Sequence, residues 1–326
     1  MNLKSVLIVC CFVGVSFSCN KTHDTLPAPQ PTNDFKQNIS IRLSGDITFT
    51  ETPLNGTRQA HNYVYAKSIL SGIMYAVDVR SDAKPFAAGL FTNRDSIVLS
   101  LPANKNYTVT VAVVTRGSGL GPWYEELPGS GRRFERPFNR YLDNTLSYNV
   151  TDSTFLQDFT YSNMFDQDTV SAFSPYYPEM DTYIGKVDVY ADSSQTITIP
   201  VKRIAFGIRY TASNFTGGRL IVSYSFGAML TKYFTPQDMG GIAIYTVDDY
   251  RYADQPTAWL RILATIKWEK PDGTVVTLGS KELYPPQRNY VTTVNVTLPT
   301  STSTVNEGVN IQLTETDWSS SDIINL

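Results

Sequence analysis

The sequence predicts an all-β fold: two tandem antiparallel β-sandwich domains behind a signal peptide and a tether. Three observations carry this. Apolar residues recur at every second position through most of the chain, the period of a strand with one buried face. Helical spacing is nearly absent, with Pro236–Met239 the one place that suggests a turn of helix. The apolar runs are short and separated by Gly, Pro, Asn and Asp, the punctuation of a sandwich.

Residues 1–18 read as the signal peptide. Lys4 gives a basic start, and Ser5–Phe17 form an apolar run shorter than the ~20 residues that span a bilayer. Ser16-Phe17-Ser18-Cys19 closes the run with small residues before a cysteine. This resembles the lipobox of bacterial lipoproteins, although Ser16 stands where leucine is usual. Cleavage would fall between Ser18 and Cys19, and the Cys19 thiol would carry diacylglycerol. An ordinary secretory signal cut near Ser18 is the alternative. The three cysteines are Cys10, Cys11 and Cys19, so cleavage leaves one thiol, at the first mature residue. An unpaired thiol is a liability in an oxidising compartment, and acylation removes it. Each buried methylene contributes about 0.8 kcal/mol, so several acyl chains anchor durably where one does not. Residues 19–37, centred on Leu26-Pro27-Ala28-Pro29-Gln30-Pro31, are too polar and proline-rich to bury a core and read as a flexible tether.

The first sandwich is expected over residues 38–182. Ile39, Ile41 and Leu43 alternate with polar residues, Gly45-Asp46 interrupt, and Ile47 and Phe49 resume. Ile73, Tyr75, Val77 and Val79 mark a strand that ends at Ser81-Asp82. Ile97, Leu99 and Leu101 lead into Pro102-Ala103-Asn104-Lys105-Asn106, and Tyr107, Val109, Val111 and Val113 leave it, which predicts a hairpin.

Residues 116–182 lose the period. Aromatics are scattered among Gly and Pro, including Trp123, Tyr124, Phe134, Phe138, Phe155, Tyr176 and Tyr177. A stretch that long holds hidden short strands or a functional loop region. Aromatic planes beside polar groups suit glycan or partner recognition, which makes Trp123, Tyr124, Tyr176 and Tyr177 candidate ligand contacts. The favoured alternative is that these rings pack the loops onto the sandwich.

The second sandwich is expected over residues 183–326. Ile197, Ile199 and Val201 alternate, then Ile204, Phe206, Ile208 and Tyr210. Ser213–Gly218 supplies a turn and Leu220, Val222, Tyr224 and Phe226 return, which predicts another hairpin. Leu260–Trp268 ends at Lys270-Pro271-Asp272-Gly273, a turn with a fixed φ and a site tolerant of positive φ. Val275–Leu278 pairs back. Tyr290–Leu298 and Val309–Leu313 alternate before Asp317-Trp318.

Composition narrows the function. The net charge is −3 with 17% charged residues and no basic stripe, which argues against a nucleic-acid partner. The two histidines, His23 and His61, do not make a zinc site, and no Gly-x-Ser-x-Gly elbow surrounds a serine. Glu125-Glu126 is the best carboxylate pair for glycoside hydrolysis, yet neighbours on an extended segment point to opposite faces. Gly117–Gly121 is not a phosphate loop, since no Lys-Ser/Thr follows. Asp238 and Asp248-Asp249 are loop carboxylates more simply read as solvated than as calcium ligands. The expectation is a protein without catalytic, metal or cofactor site.

The leader, the tether, Tyr75–Phe91, Asp181–Lys186, Val201–Gly218 (VKRIAFGIRYTASNFTGG) and Gly308–Trp318 together resemble the fimbrillin-like lipoproteins. That resemblance implies two transthyretin-like (Ig-like) β-sandwiches and a non-enzymatic role in type V pilus assembly, anchoring or cell adhesion. It implies a lipid anchor in the outer membrane of a Gram-negative bacterium, on either face. It also implies partners: shaft subunits of that family lose an N-terminal strand after an arginine, and a neighbour's strand fills the groove. Here Ile39–Phe49 would be the strand and Arg58 the candidate protease site, an uncut loop being the simpler reading. A surface glycan-binding lipoprotein that uses the aromatic segment is the alternative function.

Overall fold

The computed structural model describes residues 35–45, 68–69, 72–119, 123–127, 131–134, 138–153, 155–156, 177–225, 229–247, 262–283, 288–298 and 311–317. The strands of the N-terminal half are β1 (Lys36–Gly45), β2 (Ser68–Ile69), β3 (Met74–Ser81), β4 (Lys84–Phe91), β5 (Val98–Pro102), β6 (Asn106–Thr115), β7 (Trp123–Leu127), β8 (Gly131–Phe134), β9 (Arg140–Tyr141) and β10 (Ser147–Tyr148). Then follow β11 (Asp181–Tyr190), β12 (Gln195–Arg203), β13 (Ala205–Ser213), β14 (Arg219–Tyr224), β15 (Lys232–Phe234), β16 (Ile242–Thr246), β17 (Ile262–Glu269), β18 (Val275–Leu283), β19 (Tyr290–Thr297) and β20 (Ile311–Asp317). The fold is all-β, and no helix among the described residues is long and apolar enough to cross a membrane.

The first sandwich is one eight-stranded sheet of order β10-β4-β3-β6-β11-β12-β1-β5 that doubles back on itself. The fold line is β11–β12, where only Tyr183↔Arg203 and Ile184↔Lys202 remain paired before the strands diverge. Ile39, Ile41, Leu99, Ile197 and Ile199 from one limb then meet Tyr75, Val77, Tyr107, Val109 and Val111 from the other in one buried cluster. Gly185 makes the fold line possible. A Cβ there would lie 2.8 Å from Ile199 Cγ2 and 2.9 Å from Val201 Cγ1. The tight link between β3 and β4 runs through Asp82 and Ala83, both at positive φ, as a two-residue hairpin turn matched to strand twist requires.

Around β3, β4 and β6 the same sheet is also buried on its second face, whereas Ser40, Arg42, Thr196 and Thr198 of the β1–β12 part are exposed there. The even-numbered residues Met74, Ala76, Ala112 and Val114 point away from the first core and are covered by Phe134, Phe138, Phe155 and Leu156. Part of the aromatic region therefore packs as core. It includes β7, β8 and β9 of the small sheet β2-β7-β8-β9, short strands that the sequence pattern does not reveal.

The second sandwich stacks the sheets β16-β13-β19-β20 and β15-β14-β17-β18. Phe206, Ile208, Tyr210 and Val294 from one meet Leu220, Val222, Ile262, Ala264 and Ile266 from the other.

Three expectations are corrected. The β5 and β6 strands do not pair: β5 joins β1 while β6 lies between β3 and β11. Likewise β13 and β14 enter opposite sheets rather than a hairpin. In both cases the apolar sides face one core from opposite walls, which the same alternation describes equally well. The third concerns the boundary at 183: β11 and β12 belong to the first sheet, and the sandwiches meet at Ile204, between β12 and β13. Among the described strands β1 with β12 and β13 with β19 pair in parallel, and the other strand pairs are antiparallel.

Candidate functional site

The feature with a function to explain is the slot that β1 occupies. It pairs with β12 in parallel from Ile39↔Gln195 to Gly45↔Val201, and with β5 antiparallel from Lys36↔Pro102 to Ser40↔Val98. Among the described residues β5 has no other strand neighbour. Ile39 is fully buried and Ile41 nearly so, and both sit in the first core with Leu43 packed against it. Removing β1 would therefore open the edges of two strands at once and uncover the apolar side chains beneath. A sheet edge of that kind recognises an extended peptide through its backbone and through pockets for alternate side chains.

The slot is gripped at its entrance. The Asn38 N–H donates to Ser194 Oγ at 3.2 Å, and that hydroxyl donates to Gln37 Oε1 at 3.2 Å. Gln37 Nε2 donates in turn to the Asp192 carbonyl at 3.5 Å. Lys36 Nζ lies 6.0 Å from the centre of the Tyr148 ring, whose hydroxyl accepts from the Ser100 N–H at the outer edge of β5. No alternation marks Ser194 or Tyr148, so sequence reasoning did not single them out.

A polar junction holds the two sandwiches together. On the first sandwich's side of it, Arg203 of β12 donates through Nε and Nη2 to the two carboxylate oxygens of Asp181 of β11, both at 2.7 Å, with the side chains largely buried. Glu179 accepts from Ser118 Oγ at 2.7 Å and pairs with Lys232. The free edge of β16 is sealed by the first sandwich: the Ile244 N–H donates to Ser118 Oγ and the Thr246 N–H to the Pro178 carbonyl, at 2.7 and 2.9 Å. Thr182 and Thr246 bond hydroxyl to hydroxyl at 2.7 Å in full burial. The Gly117–Gly119 turn thus serves packing, with Gly119 against Glu179.

Two further groups of ionisable residues are buried. Burial pushes the Asp78 carboxyl up, against the pull of Arg80, whose Nε donates to it at 2.7 Å, and of the more distant Arg140. Burial likewise raises Tyr210, Tyr224 and Tyr245, and the hydroxyls of Tyr210 and Tyr224 bond each other at 2.9 Å. Among the described residues no group of three or more His, Cys, Asp or Glu side chains could hold a metal.

Of the residues singled out from sequence, Ser18, Cys19, Arg58, Tyr176, both histidines and Asp248-Asp249 lie outside the described residues. Trp123 and Tyr124 lie on β7, opposite Ile69 and Ser68. Tyr177 is 1% exposed, with its ring edge-on to Phe206 at 5.3 Å. A ring so enclosed offers no plane to a ligand, which corrects its place among the candidate contacts. Glu125 and Glu126 stand in register with Arg133 and Arg132 across the β7–β8 ladder. Asp238 accepts from Thr235 Oγ1 at 2.6 Å, a local turn bond.

No protein-family description and no curated protein matches the sequence. Solved structures do align. A candidate cell adhesion protein from Bacteroides eggerthii covers 87% of this chain and 96% of its own, with TM-score 0.45 and 11% identity. A fimbrial assembly protein from Parabacteroides distasonis covers 86% and 96%, with TM-score 0.38 and 14% identity. A candidate polysaccharide-binding protein from Bacteroides thetaiotaomicron covers 80% and 92%, with TM-score 0.34 and 9% identity. The structural neighbours are of the cell-adhesion and fimbrial kind. At these TM-scores and identities the likenesses carry neither a family nor a function to this chain.

Proposed function

We propose that this chain is a lipid-anchored cell-envelope protein of the fimbrillin-like type, without enzymatic activity, acting in pilus assembly or anchoring or in cell adhesion through strand pairing. While the chain is uncut, the lipid on Cys19 holds it to the outer membrane; a cut after Arg58 would remove the lipid and β1 together. The observation that carries the reading is the position of β1, an N-terminal strand on which β5 depends for its only described strand partner. A strand in that position is the one whose replacement by a neighbour's strand would link two subunits while restoring both ladders and the core side chains.

Intact mass of protein extracted from assembled polymers tests the exchange. A chain that begins after Arg58 supports it, and a lipidated chain still starting at Cys19 in the polymer sinks it. Radiolabelled palmitate tests the anchor: label lost in Cys19→Ala supports it, while membrane retention of that variant does not. Protease shaving of whole cells then assigns the membrane face.

A further inference from the structure

The register of β1 and β12 fixes where tension would enter and leave the first sandwich. Lys36, Pro102 and the turn at 191–194 share one pole, tied by Lys36↔Pro102, by Ile39↔Gln195 and by the hydrogen bonds between Ala191 and the Asn104-Lys105 backbone. Thr115, Asp181 and Arg203 share the opposite pole, through Thr115↔Asp181 and the Asp181–Arg203 ion pair. Because β1 and β12 run parallel, the chain enters β1 at the first pole, and β12 leaves at the second, directly into β13 of the second sandwich.

We infer that the parallel β1–β12 pair is a shear clamp that carries tension from the N-terminal attachment to the second sandwich. This rests on the proposed anchoring at Cys19, which makes the N-terminus a point of load. A pull on Lys36 away from the second sandwich runs along the axis of β1. The covalent backbone of β12, Ile204 and β13 carries the other half of the load, so the lateral bonds between β1 and β12 are what joins the two. Parallel ladders have evenly spaced bonds, so an axial pull loads those from Ile39 to Gly45 together rather than in turn. The core contacts of Ile39, Ile41 and Leu43 must slide at the same moment. At the far pole the Asp181–Arg203 pair ties β12 to β11, and the Thr182–Thr246 bond ties β11 to β16 of the second sandwich.

The same geometry predicts its own weak direction. Gln195 begins β12 beside Ile39, so a pull between the N-terminus and the turn at 191–194 would open the ladder one pair at a time.

Optical-trap unfolding of the chain from Cys19 onward tests this, with the Cys19 thiol as one handle. The second handle is Thr216→Cys, in the exposed link after β13, for shear, or Ser193→Cys, in the exposed turn, for unzipping. The expected result is a first rupture force at least about twofold higher for the Thr216 geometry at equal loading rate, since forced unfolding reads the unfolding barrier. Equal forces, or a stronger Ser193 geometry, overturn the clamp. Ser40→Pro, which breaks the ladder where β1 is paired on both sides, should lower the Thr216 force towards the Ser193 value. Should that variant not fold, the two handle geometries on the wild-type fold still decide. The anchor is judged separately by membrane retention of Cys19→Ala in cells, so a protein with the force asymmetry but no lipid would refute the anchor alone.

Discussion

The Tyr148 hydroxyl accepts a hydrogen bond from the Ser100 N–H at 3.0 Å, although the two residues stand on the end strands of one eight-stranded sheet. That contact is direct evidence that the sheet closes on itself. It also protects an edge, since Ser100 lies on β5, whose outer side has no strand partner among the described residues. Tyr148 is 38% exposed and packs edge-on to Phe86 at 5.8 Å, so the seam is held by one ring at the surface.

Tyr148→Phe keeps the ring and removes the bond. The expected loss is about 1 kcal/mol, read as a lower urea midpoint with unchanged slope. Exchange of the Ser100 amide should quicken more than that of the Leu99 amide beside it.

Gly185→Ala places a methyl against Ile199, Val201 and the Pro200 carbonyl at the fold line. Overpacking of this kind costs about 1–3 kcal/mol. Gly241→Ala is the control, since nothing lies within 4 Å of its added Cβ, and its melting temperature should barely move.

Arg203→Lys replaces a two-pronged donor by a point charge against Asp181. A loss of about 1–2 kcal/mol is expected from the lost charge-assisted bond. Asp181→Ala, which strands the guanidinium in a largely buried site, should cost more, about 3 kcal/mol. Denaturant titration of the three proteins at one pH gives the order.

Asp78 makes stability depend on pH in a definite sense. Its folded carboxyl binds a proton more tightly than the unfolded one, whose ordinary value is 3.8. The stabilisation that follows from protonation is complete below 3.8 and is lost as pH rises through the higher folded value. Asp78→Asn removes that fall. Relative to wild type, the variant should therefore fare better at pH 7 than at pH 3.5, whatever the cost of losing the Arg80 partner. A difference that is flat, or that runs the other way, contradicts the assignment.

Much of the core was legible in the chain. Tyr75, Val77 and Val79, Val109 to Val113 and Ile197 to Val201 alternate in sequence and face one core in the structure. The β17–β18 link at Pro271-Asp272-Gly273 could be read as well, and the turn expected at Ser81-Asp82 falls one residue later, at Asp82-Ala83, because turn residues act through local backbone preference. The neighbours of each strand could not. Leu99 and Tyr107 lie close in sequence with the right period, yet their strands stand on opposite walls. The aromatic region resisted for a related reason. Phe134, Phe138 and Phe155 cover a sheet face made narrow by Ala76, Ala88 and Ala112, and those small residues are distant from them in the chain.

The sequence by itself determined the all-β class, the facing of most core residues and the tight turns, together with the expectation of a lipidated Cys19. Each of these depends on residues adjacent in the chain. Only the tertiary structure decided that β1 lies parallel to β12, that β11 and β12 fold the sheet at Gly185, and that Tyr177 is core. A period of two records which side of a strand is apolar and carries no record of the strand beside it. That choice is made by how the closed sheet best covers its apolar side chains and pairs its backbone, across residues as far apart as Ile39 and Gln195.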